Sequence, residues 1–297
     1  MTRAVVVVNP AAGGGRTERL WQNLKDDLQR IGLVFDWAAT TGRHTAIDLA
    51  RAAADSGAQL IVAVGGDGTL NEVVNGVTRE AGPSPIVGAV LTGRGCDAAR
   101  NLGLSADLHT AVHALVHGVE ARLDLVRGEW PDGTRRYVIN AAGAGFDAAV
   151  ARRAVTGGRR GTLPYVSAIV KTLASHVTVP AEVEADGEVA WTGGLSSAVV
   201  ANGAYYGGGM KIAPGADPAD GHLDLVVLGD LGRLELLWWL PTVYRGAHLA
   251  CPKVATRRAR RLTIRASSPL PVHVDGEVAG DTPVTFEIRP GALRLLR

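Results

Sequence analysis

The stretch LIVAVGGDGTLNEVVNG, Leu60 to Gly76, decides how the fold is read. Its first five residues, Leu60–Val64, form the short unbroken apolar run of a buried strand. Leu70, Val73, Val74 and Val77 then recur at i, i+3, i+4 and i+7, the apolar stripe of an amphipathic helix. Between them Gly65, Gly66, Asp67, Gly68 and Thr69 make a strand–loop–helix junction, where the backbone must turn tightly or let something come close. Such a junction serves as a plain βα turn with Asp67 as the cap. It serves equally as an anion cradle, with glycine amides and the positive helix end facing oxygen-rich groups.

Outward from this junction the first 125 residues alternate between the two periodicities. Strand patterns at Ala4–Val8, Val34–Ala38, Leu60–Val64 and Ile86–Leu91 are interleaved with helical ones. The helices are marked by Leu20, Leu24, Leu28 and Ile31, then by 44–56, 70–79, 98–102 and 108–117. Order of this kind predicts a mostly parallel sheet covered on both faces, with ligands at the carboxyl ends of its strands. Three glycine-rich breaks fall at such ends: NPAAGGGR (Asn9–Arg16), GGDGT (Gly65–Thr69) and TGRGCD (Thr92–Asp97).

From about Leu123 the texture changes to short alternating runs divided by Gly, Pro and Asp, the pattern of an antiparallel, sandwich-like sheet. Helical stretches near 147–155, 163–175 and 231–240 interrupt it. The expected organisation is an α/β domain over 1–125 and a β-rich domain over 126–297, with the last strand, about 286–297, returning to the first domain.

Composition narrows the function. With 46% apolar and 20% charged residues, the 297-residue chain can build a large core. A net charge of +2 is too small to mark a nucleic-acid binder. The two cysteines, Cys96 and Cys251, lack metal-ligand spacing and form no disulfide framework, which points to a reducing, cytoplasmic setting. The greasiest later stretch, Leu234–Tyr244, is far short of a membrane span and is broken by Glu235 and Pro241.

In GGDGT the glycines let amides point at phosphate oxygens, and Asp67 is placed to hold a magnesium ion bridging them. No G-x-x-x-x-G-K-[ST] is present, and no G-x-G-x-x-G opens the first helix, so neither an ordinary P-loop nor a standard dinucleotide site is expected.

Eight blocks, in order, carry a resemblance that covers nearly the whole chain: NPAAGGGR, TTGRHTAIDLA, VGGDGTLNEVVNG, GRGCDAARNLG, NAAGAGFDAAVA, ANGAYYGGGMKIAPGADPADGHLDL, YRGAHLACPKV and VHVDGEVAGDTP. The chain resembles the diacylglycerol kinase catalytic-domain family, which includes YegS-like lipid kinases and is related to sphingosine and ceramide kinases. The resemblance implies an ATP- and magnesium-dependent lipid kinase. It implies nucleotide contacts at Asn9, Gly13, Thr41, Gly66, Asp67, Gly68, Thr69, Asn71, Glu72 and Arg94. It also implies a magnesium site on Asp220 with the carbonyls of Asp217 and His222, and Asp97 and Asp124 as aspartates linking the two magnesium regions, the first of which is at Asp67.

The triplet D-G-E occurs twice, at Asp186–Glu188 and Asp275–Glu277. Asp-Gly between alternating runs is a strong hairpin signal, so both copies read as turns. Family order selects the second, which makes Glu277 the implied proton acceptor, supported by Asp275. The first is a hairpin tip.

Where the family reads G-T-G-N-D, this chain has Gly93, Arg94, Gly95, Cys96 and Asp97. A guanidinium can hold phosphate by a bidentate fork or fill the pocket instead. Cys96 reads as a small packed residue before a reactive one. The run Lys253–Arg265, with six basic residues and no acid, suggests peripheral contact with the anionic inner membrane face, assisted by Trp238 and Trp239. Expected partners are therefore a lipid substrate and no nucleic acid, and a homodimer is left open. Two rival functions remain at this stage: a soluble-substrate kinase of the NAD kinase type, which also carries GGDGT, and a lipid-binding regulator weakened in catalysis.

Overall fold

The computed structural model describes residues 3–80, 82, 84–93, 97–156 and 162–297. The chain falls into two units, Met1–Asp124 with Pro290–Arg297, and Leu125–Arg289.

The first unit alternates as the apolar periodicity demands: β1 (Ala4–Val8), α1 (Ala12–Arg30), β2 (Phe35–Ala39), α2 (Thr45–Asp55), β3 (Leu60–Gly65), α3 (Asp67–Val77), β4 (Ile86–Leu91), α4 (Asp97–Leu102) and α5 (Leu108–His117). The strands pair in parallel in the order β2-β1-β3-β4. Residues near the C-terminus add alongside β4, with Leu295 opposite Val87. Continuous Val, Ile and Leu runs are needed here because both faces are covered. Val6, Val8, Val62 and Val64 pack with Leu24 and Leu28 of α1 and with Leu115 of α5. Val7, Ile61 and Ala63, of the other parity, are as deeply buried, on the side of α2 and α3.

The second unit comprises the end of β5 (Glu120–Glu129), β6 (Arg135–Val138), β7 (Ala141–Gly145), α6 (Phe146–Thr156), α7 (Thr162–Ala174), β8 (Val179–Ala185), β9 (Glu188–Leu195), β10 (Ser197–Ala201), β11 (Tyr205–Tyr206), β12 (Met210–Lys211), β13 (Leu223–Leu228), α8 (Arg233–Trp239), β14 (Val254–Ala259), β15 (Arg261–Ala266), β16 (Pro271–Val274), β17 (Glu277–Asp281) and the start of β18 (Val284–Leu296). One antiparallel sheet runs β14-β13-β10-β7-β16-β17. Another contains β18-β15-β8-β9. Val183, Ile264 and Phe286 from the second meet Val200, Leu225 and Val272 from the first in a single core, so the antiparallel part is a sandwich. The fold class is therefore an α/β unit with a mostly parallel sheet, joined to a β-rich antiparallel unit.

The outer face of the six-stranded sheet is not left to water. Phe146 and Val150 of α6, Ala168 of α7 and Leu236 of α8 build a smaller core there. Beside it Met210, Ile212 and Val243 pack on Ala141, Val199 and Ala201, and strands β7 and β10 are buried at every position. Covering both faces removes the polar–apolar alternation that a half-solvated strand would show.

Candidate active site

In the first unit the three glycine-rich breaks converge on the carboxyl edge of the parallel sheet. Asn9 follows β1, and its Nδ2 donates to Thr69 Oγ1 at 2.9 Å. Thr92 follows β4, and its amide donates to the Gly65 carbonyl at 2.7 Å. The Thr92 and Thr17 hydroxyls lie 2.5 Å apart, and Arg16 Nη1 donates to the Thr92 carbonyl at 3.3 Å. A Cβ at Gly65 would collide with the Thr69 side chain, so the tight β3–α3 junction requires glycine there. Gly13 lies at φ +62° within a run of three left-handed glycines, which interrupts the start of α1.

The two readings of GGDGT differ in who caps α3. The N-cap is Gly66, in extended conformation, a residue with no side chain to cap the helix. Asp67 is thus the first helical residue and not the cap. The first turn of α3 presents its amides and its positive end at the edge where Asn9 and Thr92 also meet. Asp67 Oδ2 accepts the Asp97 amide at 2.8 Å, which ties the start of α4 to the start of α3. Asp97 in turn accepts from Arg100 Nη1 at 2.9 Å. Asn71 accepts from Asn75 on the next turn of α3. Glu72 accepts the amides of His44 and Ala46, both at 3.1 Å. That capping fixes α2 and the exposed loop bearing Thr41 relative to α3. Asp124 is buried and accepts the Gly291 amide at 2.8 Å. Arg94 and Cys96 lie outside the described residues.

The metal expectation divides in two. A magnesium ion that arrives with a triphosphate takes its oxygens from phosphates, waters and one or two carboxylates. The carboxylate of Asp67, at the head of α3, fits that requirement. Asp220 is committed elsewhere: Oδ1 accepts the His222 amide at 3.0 Å, and Oδ2 is ion-paired with Arg258. The Asp217 carbonyl accepts the Asp220 amide, and the Asp220 carbonyl meets His222 Nδ1 at 2.9 Å. Burial, opposed by Arg258 and reinforced by Asp220, pushes the neighbouring Asp224 carboxyl up. Among the described residues no three His, Cys, Asp or Glu side chains lie close enough together to hold a metal ion. In this structure the His222 amide and Arg258 occupy the Asp220 carboxylate of the Asp217–His222 loop.

In the second unit the two D-G-E triplets are both two-residue hairpin turns. Asp186 and Gly187 have φ of +53° and +87°, Asp275 and Gly276 +46° and +84°. Left-handed backbone at both central positions is the type I′ turn that the Asp-Gly pair predicts. Glu188 faces solvent and pairs with Arg257 at 2.9 Å. Glu277 is half-buried, and among the described residues its carboxylate has no ion-pair or hydrogen-bond partner. The Asp275 carboxylate accepts the amides of Ile139, Asn140 and Ala141 at 2.8, 2.8 and 3.1 Å.

A buried pair near this turn, His273 and Asp147, escaped the sequence reading. His273 Nε2 lies 3.0 Å from Asp147 Oδ2, with His273 2% and Asp147 11% exposed at the side chain. Asp147 Oδ1 accepts from Ser197 Oγ at 2.7 Å and from the Ala148 amide at 2.8 Å. Burial pushes the Asp147 carboxyl up, but the facing imidazole and these two donors outweigh it and hold it below the usual carboxylate range. A Cβ at Gly143 would collide with Asp147 Oδ2, so the pair exists because this strand position has no side chain. The signal in the sequence was the lone histidine between valines in VHV, on a strand whose two faces are both covered.

The basic run Lys253–Arg265 is largely ion-paired in the structure. Lys253 pairs with Glu235, Arg257 with Glu188, Arg258 with Asp220, Arg261 with Glu287 and Arg265 with Glu184. The acids come from other elements, so five of the six basic residues of a run without acids in sequence find ion-pair partners in space. Trp239 packs into the α8 core, whereas Trp238 is 76% exposed.

Comparison with known proteins accounts for both units. Residues 3–127 match the diacylglycerol kinase catalytic domain, and residues 140–297 match the YegS C-terminal NAD kinase beta sandwich-like domain. A diacylglycerol kinase of Mycobacterium tuberculosis is 29% identical over 298 residues, covering 99% of this chain and 95% of that protein. One from Bacillus subtilis is 28% identical, covering 96% and 93%. The crystal structure of a diacylglycerol kinase from Bacillus anthracis superposes with a TM-score of 0.75 at 19% identity, over 99% of this chain and 96% of that one. An NAD kinase from Archaeoglobus fulgidus, solved in complex with ATP, shares the fold more distantly, with a TM-score of 0.58 at 16% identity over 99% and 93%. The second match alone spans more than half of the chain, and together they show that it belongs to the diacylglycerol kinase catalytic-domain family of lipid kinases.

Proposed function

We propose that this chain transfers the γ-phosphoryl group of MgATP to a hydroxyl of a membrane lipid such as diacylglycerol. The observation that carries the reading is the β3–α3 junction, whose N-cap Gly66 has no side chain and whose Gly65 and Thr69 are bonded to the loops after β4 and β1. Phosphoryl transfer asks mainly for positioning and electrostatic help, and helix amides with adjacent glycine backbone supply both to a triphosphate. Asn9, Gly13, Thr41 and the loop Gly66–Glu72 are the proposed nucleotide contacts, together with Arg94, which lies outside the described residues. Asp67 would hold the magnesium that accompanies the nucleotide, with Asp97 and Asp124 in support. That ion would neutralise phosphate charge.

Glu277 is the proposed general base. As the lipid oxygen bonds to the γ-phosphorus and the bond to the β,γ-bridging oxygen breaks, the hydroxyl proton passes to the Glu277 carboxylate and ADP departs. A half-buried carboxylate without a cation or donor of its own among the described residues suits that task better than the ion-paired Glu188.

Contact with the bilayer is assigned to α8 and the 3₁₀ turn Leu240–Arg245 that follows it. Leu234 is 82% exposed, and Leu237, Trp238 and Tyr244 also face solvent, with Arg233 and Arg245 beside them. Leu236 and Val243 fill the inward side, so this short element is apolar on both sides. Apolar and aromatic residues beside arginines suit an anionic lipid surface. Among the described residues no helix is long and apolar enough to cross a membrane.

The test is transfer from labelled ATP to diacylglycerol in phosphatidylglycerol-containing vesicles, run beside NAD as a soluble acceptor. Labelled lipid is expected. Labelled NAD with no labelled lipid would overturn the reading, and so would no transfer to either.

A further inference from the structure

The buried Asp147–His273 pair has no place in nucleotide or lipid binding as proposed above, yet it stands directly behind the turn that carries Glu277. We infer that His273 and Asp147 are positioning residues that fix the height and orientation of the Asp275–Gly276–Glu277 turn, an inference that rests on Glu277 being the base.

The bonds form one chain. The Gly276 amide donates to His273 Nδ1 at 3.3 Å. A backbone amide can only donate, so Nδ1 carries no proton, and the hydrogen of the neutral ring sits on Nε2. Nε2 then donates to Asp147 Oδ2, while Ser197 and the Ala148 amide hold the other carboxylate oxygen. Tyr206 lies over the imidazole with its ring 15° from parallel at 6.1 Å. The ring therefore has one tautomer and one orientation, and the turn inherits both. His273 faces Gly143 across the β16–β7 ladder, where a Cβ would come within 3.0 Å of Nε2. Glu277 makes no bond of its own among the described residues, so its carboxylate is located only by the backbone beneath it. Asp275 anchors that backbone from one side and His273 from the other. Catalytic geometry is sensitive to this kind of support: displacing a reacting group by about 1 Å costs on the order of 100-fold in rate.

Two variants separate the two bonds of the ring. His273→Gln can still reach Asp147 with its amide N–H but offers no acceptor where Nδ1 was. His273→Asn puts an oxygen near the Nδ1 position but is too short to reach Asp147. Positioning predicts that H273Q loses about tenfold or more in kcat, with KM for ATP within about twofold and the melting temperature close to the parent. H273N is expected to keep most of its kcat and to melt earlier, because Asp147 loses its partner. Should H273N not fold, Ser197→Ala replaces it, with a smaller kcat loss than H273Q. Equal losses of kcat in H273Q and the second variant, following their melting temperatures, would overturn the proposal and leave the pair a core contact. Glu277→Gln is the companion control. If E277Q is inactive while H273Q turns over normally, the positioning role falls; if E277Q itself turns over normally, the assignment of the base falls instead.

Discussion

The hairpins at Asp186–Glu188 and Asp275–Glu277 have the same three letters, the same I′ turn and the same use of the aspartate, whose carboxylate gathers backbone amides from a neighbouring segment. They differ in what lies behind them. The first grips Arg260 and Arg261 at an exposed edge, and its glutamate reaches out to Arg257. The second grips three successive amides leading into β7, is backed by a buried imidazole, and leaves its glutamate unengaged among the described residues. A local motif specifies a turn. Whether the turn can present a chemical group depends on tertiary anchoring, which the motif does not encode.

The sharpest way to break the comparison is to neutralise each glutamate in turn. Glu277→Gln is expected to lower kcat by about 100-fold or more, the range for loss of a general base, with ATP affinity retained. Glu188→Gln should leave kcat within about twofold. Steady-state rates with diacylglycerol vesicles and calorimetric ATP titration check both. The opposite ranking would assign the chemistry to the wrong hairpin.

Removing each aspartate compares the anchors. Asp275→Ala leaves three amides without their charged acceptor and should cost about 3 kcal/mol or more. Asp186→Ala frees two amides where water can replace the carboxylate, at about 1 kcal/mol or less. Urea unfolding monitored by tryptophan fluorescence distinguishes them. Equal costs would mean that the second hairpin is no better anchored than the first.

Acid offers a third comparison, because only the second hairpin leans on a buried carboxylate of lowered pKa. In the unfolded chain Asp147 titrates near the ordinary 3.8, and in the folded protein it titrates below that. Its contribution to stability is therefore fully present above about pH 4 and is lost as pH falls through the lower folded value. Asp147→Asn should be less stable at neutral pH, and its stability should fall less steeply on acidification. Parallel pH–stability curves for parent and variant would contradict the assignment.

Periodicity and turn chemistry made most of the fold legible. Val6 and Val62 announced buried parallel strands, and the two Asp-Gly pairs announced their hairpins before any coordinates. In the site, GGDGT was legible because glycine spacing is a local constraint on the backbone. The partners of charged groups were not. Arg258 finds Asp220, and Arg265 finds Glu184 across a strand pairing, so charges that read as free along the run are partly paired in space. His273 and Asp147 are 126 positions apart and meet only because β16 pairs with β7 and α6 starts at the end of β7. Glu72 caps α2 because α2 and α3 lie side by side, which neither helix's own pattern states.

The smallest effect belongs to the contact that makes the first hairpin look the more elaborate of the two. Glu188 and Arg257 are 2.9 Å apart but 76% and 54% exposed at the side chain. Water screens such a pair, and ordering two long side chains costs entropy, so exposed ion pairs contribute about 0.2–1 kcal/mol. A double-mutant cycle on Glu188→Gln and Arg257→Gln, read by urea unfolding at low and high salt, should return a coupling in that range that shrinks with salt. Coupling of about 2 kcal/mol or more, insensitive to salt, would show the first turn to be rigidly anchored through its glutamate. The contrast between the hairpins would then lie in the engagement of that glutamate alone, and no longer in the rigidity of the turn beneath it.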